Sequence, residues 1–314
     1  MQGRDGPDRL TLAAFAVAVV IGGSNFVAVK FSNAELDPMY GAAVRFTAAA
    51  VVFLLLGWAL SLRLPRGRAL VGSVLYGALN FGLGYGLLYF ALLEVTIGMT
   101  AVIMATVPLF TLILAVLHGQ ERFTGSGIVG GLLAVVGIGV LSLDSLRADA
   151  PLLHLLAVVA AAAAVAESTV VVKGFPRAHP VTTNGVGMAA GALLLWIASI
   201  VAAESWTVPE QARTWASLGW LVVVGSVGLF YLALFVIGRW TASASAYVLT
   251  VIPVVAVVLG ALLADEPITL EVVGGAALVL LAVYVGAVRR PRSKVQTSRA
   301  DPASDPRTSR TQTP

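Results

Sequence analysis

Two ionisable side chains stand where apolar sequence surrounds them. Glu167 lies in AVAESTVVVK and Arg45 in GAAVRFTAAA. An ionisable group at membrane depth costs at least about 2.5 kcal/mol, which makes it a functional candidate by default. Glu167 could exchange a proton with water or hold an amine; its plainer role is a local bond to Ser or Thr hydroxyls. Arg45 could anchor an anionic group, or serve as a structural partner for Glu167 or a free carbonyl. Asn80 could contact a solute or link two helices through its amide. Tyr85, Tyr89, Tyr231 and Tyr247 add hydroxyls that could line a cavity, pack helices or anchor an interface.

The elements that must position these groups follow from composition. Of 314 residues, 58% are hydrophobic and 11% charged, with a mean hydropathy of +0.92. Soluble domains carry roughly 25% charged residues. The chain is therefore read as an integral membrane protein. A bilayer core of about 30 Å needs about 20 apolar residues in a helix. Such runs fall at about residues 10–31, 39–61, 69–92, 97–117 and 126–143, then 151–172, 181–203, 216–238, 243–264 and 268–288. Barrel strands would alternate apolar and polar residues, and these runs do not. The expected fold is all-α, with ten transmembrane helices.

Sixteen Lys and Arg fall on the side that holds both termini, three on the other, and Arg45 lies inside a span. By the positive-inside rule both termini are cytoplasmic. This accounts for the +4 net charge without a nucleic-acid partner. Residues 1–9 form a short N-terminal tail, whose apolar continuation is long enough to be a retained helix rather than a cleaved signal. Residues 289–314, rich in Arg, Ser, Thr, Asp and Pro, form a basic cytoplasmic tail expected to be disordered. The absence of cysteine excludes disulfides and thiolate chemistry. The histidines, His118, His154 and His179, are too scattered to suggest a metal site, and no cofactor is expected.

The chain also repeats itself. Pro108, Glu121 and Thr124 recur as Pro253, Glu266 and Thr269, 145 positions later. GLLYFAL from Gly86 matches GLFYLAL from Gly228 at an offset of 142, which Pro38 and Pro180 share. At an offset of 143, Ser24-Asn25 aligns with Glu167-Ser168, and Lys30 with Lys173. Arg45 has Gly187 opposite it. Five spans separate each element from its copy, so residues 10–143 and 151–288 should cross the membrane in opposite senses. Inverted repeats with interrupted helices at matching positions are the signature of secondary transporters. Pro108 and Pro253 should kink equivalent helices beside a shared cavity. Glu121 and Glu266 should be structural, each meeting the free amides of the helix that follows, and Lys30 and Lys173 should snorkel at span ends.

GGSNFVAVK in the first span, Pro38 with Arg45-Phe46, the YFAL and YLAL segments and the two Pro-to-Glu blocks resemble the drug/metabolite transporter superfamily, in its EamA branch. The resemblance covers residues 10 to 288. It implies two inverted five-helix halves, with spans 1–4 and 6–9 around a central cavity and spans 5 and 10 outside. Where members often carry a tryptophan in the first span, this chain has Ile21-Gly22-Gly23, which removes an aromatic contact.

The resulting expectation is a bacterial inner-membrane permease, secondary-active or facilitative, with possible proton coupling. Its partners would be a small-molecule substrate and the lipid bilayer, and its task efflux of an amino acid, related metabolite or drug. An intramembrane enzyme is the main alternative, and a scaffold or receptor the next. GLGYG at Gly82 lacks the strand of a nucleotide site and reads as helix packing.

Overall fold

A computed structural model describes residues 9–120, 125, 129–137, 140, 152–229, 232 and 247–285. Among them there is no strand. The helices are α1 (Arg9–Ser32), α2 (Pro38–Ala59), α3 (Arg68–Ala91), α4 (Ile97–Leu117), α5 (129–137), α6 (Leu152–Lys173), α7 (Pro180–Val201), α8 (212–228), α9 (Tyr247–Leu263) and α10 (Leu270–Val283). The six helices α1, α2, α3, α4, α6 and α7 are long and apolar enough to cross a bilayer, while α9 and α10 contain shorter apolar stretches. Leu55, Leu153, Leu193, Val201 and Leu262 stand exposed on outward faces, as a surface that meets lipid requires.

Local chemistry sets many of the boundaries. Pro38 and Pro180 occupy the first turns of α2 and α7, where the missing N–H costs nothing. The hydroxyls of Thr96 and Thr269 accept from the amides of Met99 and Val272, both at 3.3 Å, and start α4 and α10. Two interruptions recur at matching positions: α3 is π-helical over Ala78–Gly84, and α8 over Trp220–Gly228. These segments begin 142 positions apart. Ser61 and Ala203, separated by the same offset, both take φ of 52° just past α2 and α7.

The two prolines of the kink expectation behave differently. At Ala105 and Thr106 the α4 ladder shortens, with Ala105 N and Thr106 N bonding Val102 O and Ile103 O at 3.1 and 3.0 Å. A new helical stretch begins at Val107, with Pro108 in its first turn. Pro108 thus restarts a broken helix and removes no interior hydrogen bond. Pro253 lies inside the continuous helix α9.

The bundle is built on α2 against α7, with α1 packed on α9 and α4 on α6. Gly77 of α3 and Gly187 of α7 bring two backbones together, since a Cβ at Gly77 would overlap the carbonyl oxygen of Gly187. At the outside, Leu109 of α4 clusters with Ala134 of α5 and Ala282 of α10.

Candidate functional site

A cavity of about 300 Å³ opens among α1, α2, α3, α4, α6 and α9. Its apolar wall comes from Phe26, Val29, Leu88, Met104, Val165 and Ile252, and its polar groups are Asn25, Arg45, Asn80, Tyr85 and Thr169. The α4 break supplies Met104, Ala105 and Val107, so the interruption itself is part of the wall.

Arg45 is 1% exposed. Its Nε donates to Ser226 Oγ at 3.4 Å and its Nη1 to Tyr89 Oη at 3.3 Å. The guanidinium carbon lies 4.9 Å from the ring centroid of Phe46 and 5.2 Å from that of Tyr85, which holds its plane by cation–π attraction. Among the described residues no carboxylate lies within ion-pair distance of it. A buried cation is normally paired, so among the described residues the site carries a positive charge without an ionic partner beside an open space.

Asn25 is 9% exposed and donates through Nδ2 to Gly225 O at 3.2 Å. That bond places the NH₂ group on the carbonyl and leaves Oδ1 buried without a partner in the structure. A side chain on Gly225 would collide with it. Asn80 Nδ2 donates to Tyr76 Oη at 3.3 Å, and Tyr76 in turn donates to Asn184 Oδ1 at 3.5 Å. Tyr76 and Asn184 line a second cavity of about 520 Å³, together with Lys173 and Arg177. A polar thread therefore joins the central cavity to this basic pocket. A third cavity, of about 370 Å³, is lined by Lys30, Arg213 and Asp265.

Asn25, Arg45, Asn80 and Tyr85 converge as the sequence suggests; several other expectations do not hold. Glu167 is absent from the cavity wall and does not partner Arg45: its Oε1 lies 3.2 Å from His118 Nε2, and its Oε2 is buried without a partner. Val165 and Thr169 share a helix face four residues apart, and Glu167, two positions on from Val165, faces away from it. His118 Nδ1 lies 2.9 Å from Leu114 O, an atom that only accepts, so Nδ1 carries hydrogen. Ser168 donates to Val165 O at 2.6 Å and Ser24 to Ile21 O at 2.9 Å, both satisfied within their own helices. Tyr89 is fully buried and serves Arg45 from behind. Tyr231 lies outside the described residues, and Tyr247 is described only as the first residue of α9.

Glu266 is structural, though in an unexpected place. It accepts from the amides of Ile97, at 2.9 and 2.8 Å, and Gly98, at 3.4 Å, which open α4 rather than the following helix. Lys30 does not snorkel; its Nζ donates to Glu266 Oε1 at 2.8 Å. Glu121 lies outside the described residues. Sequence reasoning passed over Ser226, Tyr76, Asn184 and His118. For Ser226 a signal existed: aligned at offset 142, it replaces Gly84 in an otherwise similar stretch.

The model of the EamA-like transporter family matches residues 9–143 and again 152–287. The chain belongs to that family. Over 285 residues it is 29% identical to an uncharacterized transporter of Archaeoglobus fulgidus, covering 86% of this chain and 96% of that one. It is also 29% identical over 262 residues to the uncharacterized inner membrane transporter YedA of Escherichia coli strain K12, covering 82% and 83%. A probable amino-acid metabolite efflux pump of that strain is 26% identical over 292 residues, covering 86% and 92%. A crystal structure superposes with a TM-score of 0.63 at 18% identity, over 90% of this chain and 99% of the other, a likeness of fold alone. The EamA-like chain is thus an integral membrane protein with two copies of a transporter domain.

Proposed function

We propose that this chain is a secondary-active or facilitative exporter of a small organic metabolite, working by alternating access around the Arg45 cavity in a bacterial inner membrane. The observation that carries the reading is a partly enclosed cavity built across the two repeats, with a buried cation whose partner the described protein does not supply. An intramembrane enzyme would need a nucleophile with a base, or paired carboxylates, facing that space. A scaffold would need no such space. The name of the Escherichia coli efflux relative supports export of amino-acid-related metabolites.

Several features support ten spans in two inverted halves. The α1–α9 and α4–α6 packings exchange when the halves are interchanged. Residues 33–37 meet 204–211, and Glu266 meets Ile97, so among the described residues these loops assigned to one side meet each other. A reporter fused after Val288 should read as cytoplasmic and one at Asp265 as external; finding both on one side removes the inversion.

The direct test is uptake and counterflow of a metabolite panel by the purified protein in liposomes. Accumulation of any solute supports the carrier, and chemical conversion without translocation supports the enzyme. The contact of His118 with Glu167, at 3.2 Å, supports proton coupling as a second reading. Glu167→Gln should then retain solute exchange and lose the response to a pH gradient; an unchanged response assigns the pair a structural role.

A further inference from the structure

We infer that the solute class is a small organic monocarboxylate, net negative and carrying a neutral hydrogen-bond donor, rather than a zwitterionic amino acid or an amine. The inference rests on the carrier reading and specifies what its site takes.

The charge balance of the cavity carries the argument. Arg45 contributes one positive charge, and among the described residues no Asp or Glu lines the space. In a low-dielectric site a monoanion neutralises that charge, whereas a zwitterion leaves it uncompensated and brings an ammonium group with no anion to meet. A guanidinium resting beside the Phe46 and Tyr85 rings suits a carboxylate, which it can grip through two N–H groups. Asn25 lines the same wall; its unpartnered Oδ1 is packed against Gly225, and once the amide turns toward the cavity a hydroxyl or amide N–H on the ligand supplies a donor without added charge. Phe26, Leu88 and Met104 accommodate an apolar body, and a volume of about 300 Å³ sets a small size.

One approach repeats the same sign. Lys173 and Arg177 line the second cavity with no acidic residue among the described ones beside them, and it connects through Asn184 and Tyr76 to Asn80. The third cavity adds nothing to this, since Lys30 there is paired with Glu266 and Arg213 stands with Asp265. Cations along a low-dielectric path raise the local concentration of an anionic solute.

The test uses three solutes that share one apolar body: phenyllactate, phenylalanine and phenethylamine. Each is titrated against the full-length protein in detergent by thermal shift, and followed by counterflow in liposomes. The expected result is that phenyllactate binds at least about tenfold more tightly than the other two. Arg45→Gln should abolish that preference. Because a buried arginine can matter for folding, Asn25→Asp is the second variant: a carboxylate placed where an ammonium would sit should move the preference from phenyllactate toward phenylalanine. Equal or tighter binding of phenylalanine or phenethylamine by the parent overturns the assignment, as does failure to bind phenyllactate. An Asn25→Asp protein with unchanged preference overturns it as well. Counterflow of any other solute in those cases leaves the carrier reading standing while this one fails.

Discussion

At the end of the bundle where residues 33–37 meet residues 204–211, carboxylates hold the helix starts. Glu204 accepts from the amides of Met39 and Tyr40 at 3.0 and 2.8 Å, Glu35 from those of Glu210 and Gln211, and Glu266 from those of Ile97 and Gly98. At the opposite end, near Lys173, the described contacts are of another kind. There α3 and α7 meet backbone to backbone at Gly77 and Gly187, Tyr76 reaches Asn184 at 3.5 Å, and Gln120 donates to Val170 O at 3.2 Å. One end is tied by charge-assisted bonds and the other by close packing. Ties of the first kind resist separation over a short range and then break; packed surfaces can slide. On the carrier reading proposed above, the Lys173 end, with its larger cavity, is the one that would open from this arrangement.

Four perturbations test that contrast. Gly77→Ala should have the largest effect, because the new methyl meets a backbone oxygen that cannot rotate away; overpacking of this kind costs about 3 kcal/mol. A sharp fall in folded yield is expected, and an unchanged thermal midpoint would mean that the α3–α7 contact is not tight. Glu266→Gln comes next. It removes the charge that binds Lys30 and strengthens two amide bonds, with an expected loss of about 2 kcal/mol in thermal unfolding. Glu204→Gln keeps an acceptor for one amide and has no lysine to strand, so about 1 kcal/mol is expected by the same measurement. If Glu204→Gln proves as costly as Glu266→Gln, the ties at this end are not ranked by charge pairing.

The smallest effect concerns acid. Glu35 titrates below its ordinary value, because the Thr214 hydroxyl and the amides of Gln211 and Glu210 favour the ionised form more than its desolvation opposes it. A lowered carboxyl value means that its contribution is complete above the ordinary carboxylate range and is lost as pH falls through the lowered value. Acid below the ordinary carboxylate range should therefore loosen the 33–37 loop slightly, seen as lost amide protection at Gln211, while mild acid leaves it unchanged. Glu35→Gln should remove that acid dependence. Retention of the full dependence would place the titrating group elsewhere.

The long apolar runs, their proline starts and the doubled pattern were legible because bilayer thickness and unsatisfied backbone groups leave few alternatives. Asn25, Arg45, Asn80 and Tyr85 were legible as polar residues in apolar runs, and the structure brings them to one wall. Glu167 satisfied the same criterion and was misplaced, since depth along a helix is readable whereas the direction a side chain faces depends on neighbours distant in sequence. Glu266 shows the same limit: its amide partners lie 169 and 168 positions away. The π-helical segments have no composition of their own, and the break before Pro108 differs from the continuous helix at Pro253 although the local residues match. Arg45 and Gly187 are the clearest case of divergence within the repeat. One site holds the cavity's charge, while the other lets two backbones touch.

The lone charge of Arg45 also has an electrical meaning. A site with one fixed cation is neutral when a monoanion fills it and positive when empty, so each solute carried moves one negative charge across the bilayer. A membrane potential, negative inside, drives that charge outward with about 2.3 kcal/mol per 100 mV. At about 1.4 kcal/mol per factor of ten, this sustains a concentration ratio of roughly fifty. Export of such a solute needs no second ion, and its rate should rise when a potassium diffusion potential, set with valinomycin, makes the cytoplasmic side negative.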